Sequence, residues 1–136
     1  MTFLDTNVLV YSADAADKAK QKHAYAIVRS AVDNPSYVIS SQVLNEFSNV
    51  ALSKLRKSIP EVAGFVRLFR RINVVPVVAE LTEKALSIKA QYGIQFYDSL
   101  VVAAAEMSGC DEILTEDLND GQMYGNVKAV NPFKAE

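Results

Sequence analysis

The stretch Thr2-Phe3-Leu4-Asp5-Thr6-Asn7-Val8-Leu9-Val10-Tyr11 places three polar residues between two apolar runs. We interpret the first run as a short buried strand that ends at Asp5, and the second as a helical turn or a short helix. A strand that passes directly into a helix is the first unit of a pattern that the rest of the chain repeats.

Strands and helices alternate along the remaining sequence. Short apolar runs predict the strands, and apolar residues spaced three and four apart predict the helices. The predicted strands are Tyr37–Ile39, Val74–Val78, Glu112–Thr115 and Val127–Val130, and the predicted helices begin near Asp17, Ser41, Ser58, Thr82 and Asp98. This alternation predicts an α/β fold with a central parallel sheet that is covered by helices on both faces.

Local signals set the expected ends of several elements. Ser58 and Glu61 match a capping box, Thr82 is the expected N-cap of the next helix, and Gly93 is its expected stop. Pro76 predicts a short strand or an edge strand, because proline cannot donate a hydrogen bond to a neighbouring strand.

Composition excludes several classes of protein. Half of the 136 residues are hydrophobic and only 5 are glycine and 4 proline, which excludes disordered and collagen-like chains. The single Cys110 cannot form an internal disulfide, and one histidine without any Cys–His spacing argues against zinc. No apolar run approaches the roughly 20 residues of a membrane span, and the first residues do not resemble a signal peptide. We therefore expect one cytoplasmic globular domain over residues 1–136.

Acidic residues follow the predicted strands, at the edge where parallel sheets bind ligands. Asp5 follows the first strand, Asp117 and Asp120 follow the penultimate one, and Asp98 begins the most apolar helix. Glu46 lies beside core-facing residues of another helix, where a charge is costly unless it has a partner. Four carboxylates, those of Asp5, Glu46, Asp98 and Asp117, are therefore expected to converge.

A divalent cation would remove the repulsion between such carboxylates. Ligands that are all oxygen atoms select hard cations, such as Mg²⁺ or Mn²⁺. The site would suit hydrolysis of phosphodiesters, because the metal lowers the pKa of the attacking water and stabilises charge on the phosphate oxygens. No lysine or arginine lies between Lys89 and Lys128, so this part of the chain is favourable for cations.

Each of these residues also has an ordinary structural interpretation. Asp5 and Asp98 are typical helix caps, and Lys54 is available as an ion-pair partner for Glu46. The other ordinary roles are turn formation by Asn7, Asp117 and Asp120, strand-end hydrogen bonding by Thr115, and packing by Tyr97. The functional interpretation depends on all four carboxylates occurring together at the sheet edge.

The segment Phe3–Tyr11 resembles the opening of PIN domains, which begin with an apolar strand followed by Asp-Thr-Asn. Later segments resemble the other blocks of that family in the same order: Ser40–Phe47 with its Glu46, Tyr97–Ala105 with its Asp98, Leu114–Gly121 with its Asp117, and the ending Val130–Phe133. The resemblance spans nearly the whole chain.

The resemblance implies a three-layer α/β/α domain and a metal-dependent ribonuclease. It assigns the acidic quartet to Asp5, Glu46, Asp98 and Asp117, the accessory polar positions to Asn7 and Thr115, and an additional carboxylate to Asp120. Small single-domain members include VapC-like toxins, which are homodimers that cleave RNA and are silenced by a VapB-like antitoxin. The resemblance therefore implies RNA as the substrate, Mg²⁺ or Mn²⁺ as the cofactor and an antitoxin as the partner.

Basic residues indicate where RNA would bind. Lys54, Arg56 and Lys57 extend the helix that carries Glu46, and lysine and arginine supply most contacts to phosphate. The alternative is that these residues form a solvated helix face. At the level of the whole protein, the alternative is a catalytically silent PIN-like module whose acidic pocket docks a protein partner.

Overall fold

The computed structural model describes residues 1–134, and its sheet contains six strands. These are β1 (Thr2–Leu4), β2 (Tyr37–Ser40), β3 (Asn73–Val75), β4 (Glu112–Leu114), β5 (Met123–Tyr124) and β6 (Val127–Val130). Their order across the sheet is β3-β2-β1-β4-β6-β5, and every neighbouring pair is parallel except β5 with β6. The predicted parallel sheet is confirmed, with an additional antiparallel edge strand that the sequence pattern did not indicate.

Helices flank this sheet, which confirms the α/β class. They are α1 (Thr6–Ala13), α2 (Lys18–Ala31), α3 (Ser41–Ser53), α4 (Ile59–Phe69), α5 (Ala79–Tyr92) and α6 (Phe96–Met107). Helix α1 packs against α2 and α3, whereas α5 packs against α6. None of these helices combines the length and the apolar character needed to cross a membrane.

Most of the expected helix ends are confirmed, but one is wrong. Ser58 and Glu61 form the capping box of α4, and Gly93 ends α5 in the left-handed conformation with φ of 70°. Thr82, however, lies inside α5, which begins three residues earlier, with Val78 at its N-cap and no capping side chain. The earlier start has a visible cause, because the Val77 N–H donates to the hydroxyl of Ser41 at 2.9 Å and fixes the chain there.

Helix α6 is the most buried helix, as its composition indicated. Every residue from 99 to 105 is buried, and the helix contacts β2, β4 and β6. Its N-cap is Gln95, so Asp98 is the third residue of the helix and not its cap. Asp98 is therefore carried at the end of a rigid, buried element.

Strand β1 has neighbours on both sides and is the central strand of the site. Its register pairs Leu4 with Leu114 of β4, and β2 lies on its other side. Because the strand order changes direction between β1 and β4, the crevice at their carboxyl ends is the place where a parallel sheet binds ligands.

Candidate active site

Asp5 occupies the crevice at the carboxyl ends of β1 and β4. Its backbone N–H donates to the carbonyl of Leu114 at 3.1 Å, which continues the pairing of the two strands. Its carboxylate accepts from the Thr6 backbone N–H at 2.7 Å and from the Thr115 hydroxyl at 2.8 Å. Asp5 is only 4% exposed, so a charged carboxylate is held here almost without water.

Two further carboxylates reach the same point from other elements. Asp98 comes from the first turn of α6, and Asp117 comes from the loop after β4. Oxygen atoms of Asp5, Asp98 and Asp117 all lie within 4.8 Å of one another. The structure thus brings together three of the four carboxylates that were expected to converge.

The three carboxylates repel one another in the absence of a cation. Burial, together with the charges of Asp117 and Asp98, raises the pKa of Asp5 to about 7, against the opposing hydrogen bonds from Thr115 and Thr6. Burial, followed by the charges of Asp117 and Glu46, raises the pKa of Asp98 to about 6. None of the three forms an ion pair with a lysine or arginine in residues 1–134. A set of close oxygen ligands without a counter-ion fits a hard divalent cation.

Glu46 lies beside this cluster and not within it. Its carboxylate accepts from the Thr6 hydroxyl at 3.2 Å and from the Gln42 side-chain amide at 2.8 Å. It forms no ion pair with Lys54, so that ordinary interpretation of Glu46 is not supported. Its negative charge contributes, after burial and the charge of Asp117, to the raised pKa of Asp98.

Asn7 and Thr115 connect the carboxylates. The Asn7 side-chain amide donates to the Thr115 hydroxyl at 3.1 Å and to the Asp117 carboxylate at 3.2 Å. The same hydroxyl accepts from the Asp117 backbone N–H at 3.1 Å while it donates to Asp5. Thr115 therefore positions two of the three clustered carboxylates.

Replacing Thr115 by valine is expected to weaken binding of Mn²⁺ to the carboxylate cluster by about 10- to 100-fold, the usual effect of losing a residue that orients metal ligands. Valine preserves the shape of the side chain but removes the hydroxyl that bonds Asp5 and Asp117. Titration of both proteins with Mn²⁺ would measure the effect. Thr82→Val, an exposed threonine in α5, is the matched control. Unchanged affinity in Thr115→Val would contradict a positioning role.

Asp120 lies outside the carboxylate cluster, whereas Lys54 lies in a groove that reaches it. Asp120 accepts from the Asn131 backbone N–H at 2.8 Å and pairs with Lys134, so it anchors the C-terminal segment outside the cluster. Lys54 lines a groove of about 250 Å³ that also contains Glu46 and Asp117.

The other two predicted RNA contacts are less close to the carboxylates. Arg56 is exposed after the end of α3. The ammonium group of Lys57 lies 5.6 Å from the centre of the Phe65 ring, a cation–π contact within the protein. Of the three, only Lys54 lines a groove that reaches the carboxylates.

Sequence reasoning missed Gln42 and misplaced Tyr97. Gln42 is 7% exposed, and its amide donates both to Glu46 and to the backbone carbonyl of Tyr97 at 3.1 Å. The only signal for Gln42 was its position four residues before Glu46 on one helix, where side chains are neighbours. The ordinary interpretation of Tyr97 was packing, but its side chain is 61% exposed, and the buried residues of α6 begin two positions later.

A model of the PIN domain family matches residues 2–122. The chain belongs to the PIN domain family. No curated protein sequence matches it significantly. The match includes all four predicted carboxylates of this PIN domain, from Asp5 to Asp117.

Several solved structures share the fold of this PIN domain. One is VapC20 of Mycobacterium tuberculosis, a toxin that cleaves the sarcin-ricin loop, with a TM-score of 0.66 and 21% identity over 83% of this chain and 87% of that one. A toxin–antitoxin complex from Klebsiella pneumoniae has a TM-score of 0.70 and 17% identity over 99% and 100%. DNA-bound VapBC from Salmonella typhimurium has a TM-score of 0.69 and 20% identity over 94% and 95%. At these identities the likeness concerns the fold alone.

Proposed function

We propose that the protein is a metal-dependent endoribonuclease that hydrolyses phosphodiester bonds of RNA. The observation that carries the proposal is the cluster of Asp5, Asp98 and Asp117, whose carboxylate oxygens lie within 4.8 Å of one another at the switch point of a parallel sheet. Membership of the PIN domain family supports the same activity.

Asp5, Asp98 and Asp117 would hold Mg²⁺ or Mn²⁺, and Glu46 would take part from the adjacent position. A bound divalent cation supplies stabilisation of negative charge on the phosphate and makes water a better nucleophile at neutral pH. The protein orients the carboxylates that would bind this cation. Asp5 is fixed by Thr6 and Thr115, and Glu46 is fixed by the Thr6 hydroxyl and by Gln42.

The RNA backbone would approach through the groove that contains Lys54. Lys54 lines this groove together with Glu46 and Asp117, so its ammonium group would contact a phosphate that lies beside these carboxylates. Arg56 and Lys57 would extend the basic surface along the same part of the chain. In this proposal Lys54, Arg56 and Lys57 all contact the RNA.

We further propose that the enzyme is the toxin of a VapBC-type toxin–antitoxin pair, acting in the cytoplasm as a homodimer. The support is the fold that it shares with VapC20 and with the toxin–antitoxin complexes from Klebsiella pneumoniae and Salmonella typhimurium. A VapB-like antitoxin would then be its protein partner. Co-expression with a small protein encoded beside its gene, followed by purification and inhibition assays, tests this part.

The decisive experiment is cleavage of a structured RNA pool by the purified, partner-free protein. Reactions with Mg²⁺, with Mn²⁺ and with EDTA are compared, and Asp98→Asn prepared in parallel controls for a contaminating nuclease. Cleavage that requires metal and disappears in the variant is the expected result. A folded protein that neither cleaves RNA nor binds Mn²⁺ would instead favour the silent module that docks a protein partner.

A further inference from the structure

A second groove contains Glu46, which lies beside the three clustered carboxylates. It has a volume of about 490 Å³ and lies between α3 and the first turn of α6. Glu46 lines both this groove and the one that contains Lys54, so the two meet at the candidate active site. A chain that runs from the Lys54 groove past Glu46 would therefore enter this second groove.

Tyr97 forms an exposed aromatic wall of the groove. The ring is 61% exposed and belongs to the residue directly before Asp98. It is braced from one side by Phe96, with ring centres 5.3 Å apart and planes at 75°. An exposed but supported aromatic ring beside a nucleic-acid cleavage site is suited to stacking on an unpaired base.

Amide side chains line the opposite side of the groove. Asn45 and Asn49 lie one helical turn apart on α3, and both are exposed. Neither side chain forms a hydrogen bond within the part of the chain that the structure describes. Carboxamides both donate and accept hydrogen bonds, so they can pair with the edges of nucleobases.

The charges of the lining residues indicate that the Tyr97 groove and the Lys54 groove bind different parts of the RNA. Among the described residues, no lysine or arginine lines it, whereas Lys54 lines the groove on the other side of Glu46. Phosphates are held mainly by basic side chains, and bases by stacking and hydrogen bonds. The composition of the second groove is that of a base-binding site.

Gln42 lines this groove and connects its two sides by hydrogen bonds. Both hydrogen atoms of its amide group are used, one by the Glu46 carboxylate and one by the Tyr97 carbonyl. The orientation of the amide is thereby fixed, because the reverse orientation would place its oxygen against two acceptors. Gln42 thus links Glu46 to the turn that carries Tyr97 and Asp98.

We propose that this groove is a subsite for one unpaired nucleobase of the RNA substrate, next to the phosphodiester that is cleaved. Tyr97 stacks on the base, and Asn45 and Asn49 bind its edge. The subsite makes the cleavage dependent on the base at that position. This inference rests on the proposed ribonuclease function.

A double-mutant cycle between protein and RNA tests the subsite. Wild type, Tyr97→Ala and Tyr97→Phe are assayed on a single-stranded oligonucleotide that contains the cleavage site, and on versions in which one base at a time is removed. We expect Tyr97→Ala to raise KM by roughly fivefold to a hundredfold, with a much smaller change in kcat. Tyr97→Phe should restore most of the loss because it keeps the ring. Tyr25→Ala, an exposed tyrosine of α2, is the matched control.

The same double-mutant cycle identifies which base of the RNA contacts Tyr97. At one position next to the cleaved bond, removal of the base should eliminate the difference between wild type and Tyr97→Ala, because the partner of the ring is then absent. Effects that are additive at every position would overturn the subsite while the ribonuclease assignment stands.

RNA binding in EDTA, measured by fluorescence anisotropy, separates the two proposals without turnover. If the protein cleaves no RNA, loss of binding in Tyr97→Ala but not in Tyr25→Ala still supports the subsite and contradicts the proposed function. If Tyr97→Ala instead alters self-association in size-exclusion chromatography and leaves RNA binding unchanged, the groove is a contact between copies and the inference is wrong.

Discussion

Replacing Asp98 by asparagine is expected to lower the rate of RNA cleavage by about a thousandfold or more. The substitution removes one of the three carboxylates with oxygen atoms within 4.8 Å of one another, and with it a proposed ligand of the divalent cation. Stabilisation by such a cation is worth several kcal/mol in the transition state, and about 4 kcal/mol corresponds to a thousandfold change in rate.

The fold should survive this change. The Asp98 side chain accepts no hydrogen bond within residues 1–134, and its charge is opposed by those of Asp117 and Glu46. Circular dichroism and thermal unfolding should match the wild type. The control is Asp111→Asn, which makes the same charge change at the opposite end of β4, where Asp111 pairs with the N-terminal amine. Full activity in a folded Asp98→Asn protein would reject the site.

The second large effect is a fall in the stability of the metal-free protein as pH rises. Burial raises the pKa of Asp5 from 3.8 to about 7, so the native state binds more protons than the unfolded chain between these values. The free energy of unfolding therefore decreases as pH increases from about 4 to about 7, by up to about 4 kcal/mol for this group. Asp98, with its pKa raised to about 6, contributes in the same direction.

Urea unfolding in EDTA between pH 4 and pH 8 would measure this effect, with Asp5→Asn as the comparison. The variant should lack most of the decrease and should be the more stable protein at pH 8, because it buries no charge. Adding Mn²⁺ at pH 8 should stabilise the wild type much more than the variant. If the free energy of unfolding depended on pH in the same way in both proteins, burial would not raise the pKa of Asp5.

The positions of the carboxylates were predictable because strand ends and helix starts leave strong local signals. Asp5 and Asp117 follow apolar runs, and parallel strands bring such positions to one edge of the sheet. The family resemblance then supplied the order of the blocks. What remains a prediction is their role, since proximity of carboxylates does not establish catalysis.

Other features depend on contacts that no local pattern records. Strand β5 has two residues and exists through its pairing with β6, so its own sequence gives no signal. The start of α5 is set by a hydrogen bond from Val77 to Ser41, which is 36 residues away. Gln42 matters for what it touches across two helices, and its residue type alone carries no such information.

The central place of β1 has a consequence for biosynthesis. Strand β1 pairs on one side with β2 and on the other with β4, and Thr2 and Glu112 are aligned across that second pairing. Contacts so distant in sequence form late and slow the folding of the chain. Asp5 therefore lies at an unpaired edge of β1 until the segment with Thr115 and Asp117 has been synthesised. A chain that ends before Asp117 cannot assemble the acidic cluster.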